Sequence, residues 1–155
     1  MKRTIYTDTS VIGGCLDAEF RQPSLELLGL FRSGKAVIVL SDLTRLELEA
    51  APVAVRQVLS EVAEANREYV ELTEEASELA NRYIEEGVLN RSKHIDAQHI
   101  AVATLARVDV LVSWNFRHIV NLDRIRGYNS VNMRYGYPLI EIRTPREVIS
   151  HDSQE

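Results

Sequence analysis

Two rhythms of apolar residues alternate along this chain. Short runs rich in β-branched residues read as strands, and longer stretches with apolar residues three or four apart read as helices. Residues 4–7 (TIYT) carry the first strand signal. Residues 24–33 follow as a helix, with Leu25, Leu28 and Phe31 at helical spacing and Gly34 as its stop. Residues 36–40 (AVIVL) are the longest clean aliphatic run and predict a strand buried on both faces. Ser41 then caps a helix with Asp42 in its first turn and an apolar stripe of Leu43, Leu46 and Ala50. Pro52 opens a fresh helix through residue 66. Residues 69–72 are a short strand or an extended link, and residues 73–86 a helix ending at Gly87. Residues 95–106 are apolar nearly all round, which predicts a buried helix. Residues 108–112 give the third strong strand signal. Tyr137-Pro138 turns into a last strand over residues 139–142. Thr144-Pro145-Arg146-Glu147 has the form of a capping box with proline at the first helical position, so a short helix should follow.

Strands separated by helices imply an α/β sandwich around a mostly parallel sheet. No repeat, low-complexity tract or linker interrupts the pattern, so residues 1–150 read as one domain and 151–155 as a disordered tail. In such sheets ligands bind beyond the carboxyl ends of the strands. The stretch IYTDTSVIGG therefore raises a question, because its strand ends on Asp8, with Thr9 and Ser10 beside it and then a paired Gly13-Gly14.

Composition narrows the setting. The chain has 155 residues, 45% of them hydrophobic and 26% charged, which suits one soluble globular domain. No apolar run is long enough to span a bilayer, and no apolar stretch follows the basic N-terminus as a signal peptide requires. Cys15 is the single cysteine, so no internal disulfide forms, which fits a cytoplasmic protein. The net charge of −5 argues against non-specific phosphate binding. It argues less against a nuclease, since an acidic metal site accounts for part of the deficit.

Four polar positions stand at or just beyond strand ends. Asp8 is either a turn aspartate or a metal ligand or base at the sheet's working edge. Glu47 borders the apolar stripe of its helix, where an unpartnered charge is costly. Asp96 shares a face with His99, Ile100 and Ala103 on the helix expected to be buried; the helix dipole explains its place along the helix but not its face. In VLVSWNFRHIV the strand ends near Ser113 and Asn115 follows, either as a site residue or in a polar loop whose Trp114 and Phe116 pack on the core. Three carboxylates and an amide oxygen on one rim would suit a hard cation such as Mg²⁺ or Mn²⁺. Zinc is disfavoured, because His94 and His99 are five apart and there is one cysteine.

The ordered set IYTDTSVIGG, SDLTRLELEA, HIDAQHIAVAT, DVLVSWNFRHIVN and IRTPREVI resembles the PIN-domain proteins, close to the VapC-type toxins of toxin–antitoxin pairs. The resemblance covers nearly the whole chain. It implies a three-layer α/β/α sandwich and a metal-dependent ribonuclease. It places the metal ligands at Asp8, Glu47 and Asp96, with Mg²⁺ or Mn²⁺ as cofactor. The family's fourth acid falls on Asn115, which brings no charge and so weakens the case for a second cation; Asp123 lies eight residues on as another source of that charge. Thr9 or Ser10 matches a hydroxyl position that helps hold metal or phosphate. Arg117, His118, Lys93 and Arg91 are candidates for contacting an RNA backbone, with single-stranded or looped RNA favoured over duplex. The resemblance further implies a homodimer and a small antitoxin partner.

Rival readings are weaker on the residues. A haloacid-dehalogenase-type phosphatase needs a second aspartate two residues after the first, where Ser10 stands. A receiver domain needs an extra acidic pair and a late lysine that are absent. A PIN fold with little activity, serving as a binding module for RNA or protein, is the non-enzyme alternative, with Asn115 as its mark.

Overall fold

A computed structural model describes residues 2–153, with side chains described through residue 150. Five strands form one wholly parallel sheet in the order β3-β2-β1-β4-β5. They are β1 (Arg3–Thr7), β2 (Ala36–Ser41), β3 (Arg67–Val70), β4 (Val110–Val112) and β5 (Ile142–Arg143). The helices are α1 (Thr9–Gly14), α2 (Arg21–Arg32), α3 (Asp42–Ala50), α4 (Val53–Ser60), α5 (Glu74–Glu85), α6 (His94–Ala106), α7 (Leu122–Arg134) and α8 (Pro145–Ser153).

Successive strand residues point to opposite faces, and that alternation sorts the core into two layers. Tyr6, Val39, Leu111 and Ile142 face one layer, closed by α5, α6 and α7. Ile5, Ile38, Leu40, Val110 and Val112 face the other, closed by α1, α2, α4 and α8. Both faces of the central strands are covered, so they are continuously apolar rather than alternating. The result is the expected three-layer α/β/α sandwich.

The chain builds outward from β1 in two directions. It lays β2 and β3 to one side, then crosses back to lay β4 and β5 on the other. The switch lies between β1 and β4, whose register pairs Tyr6 with Leu111 and Thr7 with Val112. A crevice opens at the carboxyl end of such a switch because the connections leave in opposite directions.

Several elements depart from the sequence pattern. α1 occupies TSVIGG, which carried no helix signal, and buries Val11 and Ile12. α2 starts three residues early, at Arg21, with Pro23 tolerated in its first turn. The helix expected from Pro52 to residue 66 ends at Ser60, because fully buried Val62 enters the core from a turn; a single 3₁₀ turn (Glu64–Asn66) then leads into β3. α3 buries Leu43, Thr44 and Leu48, whereas Leu46 of the expected stripe is 64% exposed. α7 was not legible, since only Tyr128, Val131 and Asn132 of its thirteen residues are buried. The last strand is shifted to Ile142–Arg143. Ile140 is instead paired through the Asn129 side chain, which accepts from its N–H (2.7 Å) and donates to its carbonyl (3.1 Å). The tail expected over 151–155 overlaps the end of α8, and residues 154–155 lie outside the described residues.

The glycine pair has two different meanings. A Cβ on Gly13 would meet nothing within 4 Å, but one on Gly14 would come within 2.5 Å of Ser24 Oγ and 2.9 Å of Trp114 Nε1. Those two atoms are bonded to each other at 2.9 Å, and Trp114 leads from β4 toward the crevice. Gly14→Ala should therefore lower unfolding stability by about 1–3 kcal/mol through overpacking. Gly13→Ala, inside a helix and against open space, should leave stability unchanged or raised. Urea titrations of both variants beside the wild type check this; equal midpoints for the two would remove the close-approach explanation.

Candidate functional site

Asp8 follows β1 directly, at the mouth of the crevice, and is only 6% exposed. Its carboxylate sits in a cradle of hydroxyls. Ser10 Oγ donates to Oδ1 (2.6 Å) and Ser113 Oγ, just beyond β4, donates to Oδ2 (2.6 Å). Ser10 Oγ in turn accepts from the Trp114 N–H (3.0 Å), and Ser113 Oγ accepts from the Asn115 N–H (2.9 Å). The two strand ends flanking the switch are thus joined through one carboxylate. Neutral hydroxyls cannot cancel its charge, however. Burial pushes the Asp8 pKa up; His99, Ser10 and Ser113 oppose the rise, and nearby Glu47 adds to it.

Glu47 and Asp96 reach the same neighbourhood from α3 and α6. Asp96 stands in the first turn of α6, one turn before His99, so both project from one face. Burial raises the Asp96 pKa, with His99, His118 and Lys93 opposing and Glu47 reinforcing. Among the described residues it has no hydrogen bond or ion pair. Glu47 behaves differently. Burial alone would raise it, but the hydrogen bond and charge of His99, with Thr9 beside it, outweigh burial and bring its pKa below the usual range.

His99 is the member of this group whose role the sequence did not indicate. It is 2% exposed, and both ring nitrogens are engaged. Nε2 meets Glu47 Oε1 at 2.6 Å, and Nδ1 meets the Tyr6 hydroxyl at 2.6 Å. The Tyr6 hydroxyl also meets Ser41 Oγ at 2.7 Å. A buried polar chain therefore runs from the N-cap of α3 through β1 and α6 back to Glu47 on α3. The sequence clue was the DxxH spacing of Asp96 and His99; the partners came only with the fold.

The remaining expected residues divide. Thr9 Oγ1 is buried and lies close enough to Glu47 to help lower its pKa. Ser10 holds Asp8. Lys93 and His118 lie near Asp96, and burial lowers the His118 pKa while Asp96 opposes it. His118 Nδ1 is buried without a hydrogen-bond partner. Arg117 is exposed next to His118, and Arg91 is exposed in the 3₁₀ turn (Arg91–Lys93) that precedes α6. Asn115 spends its amide oxygen on the backbone, accepting from the N–H groups of Arg117 (3.2 Å) and His118 (3.0 Å). Trp114 is buried and stacks on Phe20 at 4.3 Å, whereas Phe116 is 51% exposed. Asp123 lies in the exposed first turn of α7, in a shallow recess with Glu86, Val88, Arg124 and Gly127. Beside the acidic group a groove of about 520 Å³ runs between α3 and α6, lined by Leu43, Leu46, Glu47, Lys93, Ile95 and Asp96.

Whether these residues suit a divalent cation is a matter of charge and spacing. Among the described residues no three His, Cys, Asp or Glu side chains form a ready-made metal-holding group. Mg²⁺ does not demand one, since it commonly keeps several waters and takes one or two carboxylates. Buried Asp8 and half-buried Asp96, both with raised pKa values, and the lack of a hydrogen bond to the Asp96 carboxylate among the described residues fit an ion of that kind.

Comparison with known proteins places the fold. No family model and no curated protein matches the chain. Among solved structures it is similar to VapBC2 from Rickettsia felis, bound to a DNA fragment from their promoter. The identity is 13% and the TM-score 0.56, over 91% of this chain and 98% of that one. VapC20 from Mycobacterium tuberculosis, a sarcin–ricin-loop-cleaving toxin, is similar at 16% identity and a TM-score of 0.49, over 69% of this chain and 86% of that one. The architecture, shared with VapBC2, is the PIN fold expected from the sequence motifs. No helix among the described residues is long and apolar enough to cross a membrane.

The raised Asp8 pKa has a measurable consequence. A carboxyl with a raised folded-state pKa binds its proton more tightly folded than unfolded. Its contribution to stability is full below the unfolded value near 3.8 and falls as pH rises through the folded value. In EDTA, Asp8→Asn should therefore melt at a higher temperature than the wild type at pH 7, and the gap should close as pH approaches 4. A lower melting temperature for Asp8→Asn at pH 7 would contradict a strained, buried charge.

Proposed function

We propose that this PIN-fold protein is a metal-dependent endoribonuclease acting on single-stranded or looped RNA, and the toxin of a toxin–antitoxin pair. The observation that carries the reading is the buried Asp8 carboxylate at the β1–β4 switch, with Glu47 beside it and electrostatically coupled both to Asp8 and to Asp96. Acidic groups held together at a cost to stability are a mark of function.

Asp8 and Asp96 would hold Mg²⁺ or Mn²⁺, and Glu47 would either ligate it or orient a water. The chemistry supplied by such an ion when bound is a lower pKa for water and neutralisation of charge building on the phosphate oxygens. Hydrolysis would add one water across the phosphodiester, breaking one P–O bond and leaving a phosphate and a hydroxyl terminus. Thr9 would offer a hydroxyl to a phosphate oxygen, and Ser10, whose proton goes to Asp8, would do so only by giving up that bond. Lys93, Arg117, His118 and Arg91 would contact the RNA backbone, and the α3–α6 groove would give unpaired bases an apolar wall. A homodimer and a small antitoxin belong to the same reading by analogy of fold.

Asn115 favours a second reading, a weakly active or inactive module that binds RNA or protein, because its oxygen is committed to the backbone. Incubating single-stranded RNA and Mn²⁺ with the wild type, Asp8→Asn and Asp96→Asn separates the two. The ribonuclease reading expects cleavage by the wild type and background from both variants. Equal cleavage by all three, or none by any across varied RNAs, favours the binding module. Asn115→Asp should fold normally, since a carboxylate accepts the same two N–H bonds, and should bind Mn²⁺ more tightly by calorimetry. Unchanged or weaker binding would show that this position does not face the ion.

A further inference from the structure

Glu47 has no structural need for its buried partner. Its side chain is 40% exposed, so water could solvate the carboxylate, and immobilising a glutamate costs side-chain entropy. His99, at 3% side-chain exposure, nevertheless holds Oε1 at 2.6 Å. The ring itself is over-determined. The Tyr6 hydroxyl engages Nδ1, and Tyr6 is fully buried in the central strand. Behind it Ser41, also fully buried, closes the capping box of α3 with Thr44. The carboxylate can only accept, so Nε2–H donates to it whatever state Nδ1 is in. Tyr6 lies two residues before Asp8, His99 one turn after Asp96, and Ser41 starts the helix bearing Glu47. The same chain thus ties together the three elements that carry the three acids.

We propose that His99, braced by Tyr6 and Ser41, is the positioning residue of this site, fixing the Glu47 carboxylate on the acidic rim so that Asp8, Glu47 and Asp96 present one ion-binding surface. The proposal rests on the metal-dependent reading above. It assigns His99 no contact with substrate. Supporting hydrogen bonds of this kind matter because a ligand group free to rotate is displaced from its working place most of the time.

A double-mutant cycle on the full chain tests it, with Mn²⁺ affinity by calorimetry as the first readout and single-turnover RNA cleavage as the second. His99→Phe keeps the ring volume but removes the donor, and should weaken Mn²⁺ binding by about 10–100-fold. His99→Gln, whose amide can still donate to Glu47, should recover most of that loss. In a Glu47→Ala background, His99→Phe should cost nothing further, because its effect passes through Glu47. Additive losses, or full affinity in His99→Phe, overturn the proposal. Thermal melts identify a variant that does not fold, and the Gln variant then carries the comparison, with affinity as low as in Glu47→Ala counting against positioning. A wild type that binds Mn²⁺ but cleaves no RNA sinks the ribonuclease reading and leaves the cycle decisive for His99. A wild type that binds no Mn²⁺ removes the proposal together with its premise.

Discussion

A carboxyl group in a place that water barely reaches constrains everything at this end of the sheet. Asp8 is covered because it follows the central strand, and the central strand is covered on both faces. A buried charge must be hydrogen-bonded, matched by opposite charge, or protonated. Ser10 and Ser113 supply the first remedy, and His99 nearby supplies part of the second. The hydroxyls also accept from the backbone of Trp114 and Asn115, so the loop after β4 is built around the same carboxylate.

Two hydrogen-bond systems of different character meet here. The first is made of serines and main chain, holds Asp8 rigidly and leaves its charge largely uncompensated. The second runs Ser41–Tyr6–His99–Glu47 and draws the Glu47 pKa down while burial raises those of Asp8 and Asp96. A protein selected only for stability would replace such a group with apolar side chains of similar volume. Retaining three acids and an imidazole within one neighbourhood is what the proposed ion-binding site would require.

The lower part of the molecule supports that surface by ordinary packing. α6 is apolar over most of its surface because it is sandwiched between the sheet and its helical neighbours, and that burial makes Asp96 and His99 informative. α7 contributes little apolar area, yet its Tyr128 hydroxyl donates to the His118 carbonyl at 2.5 Å and so steadies the loop carrying Asn115, Arg117 and His118.

The strongly apolar strands, the buried α6, the Ser41 cap and the short helix after Thr144 were legible in the sequence, because local period and capping chemistry decide them without help from distant residues. So were Asp8, Glu47 and Asp96 as residues in unusual settings. α7 and α1 were not, since a few large or specifically bonded side chains anchor them rather than a continuous apolar stripe. The face that α3 turns inward also escaped, because it depends on where β2 delivers the helix. His99 as the partner of Glu47, the Ser10–Asp8–Ser113 cradle and the local use of Asn115 needed the tertiary structure. Each is a contact between side chains whose approach is set by strand order, and strand order results from packing both faces of a five-stranded sheet at once.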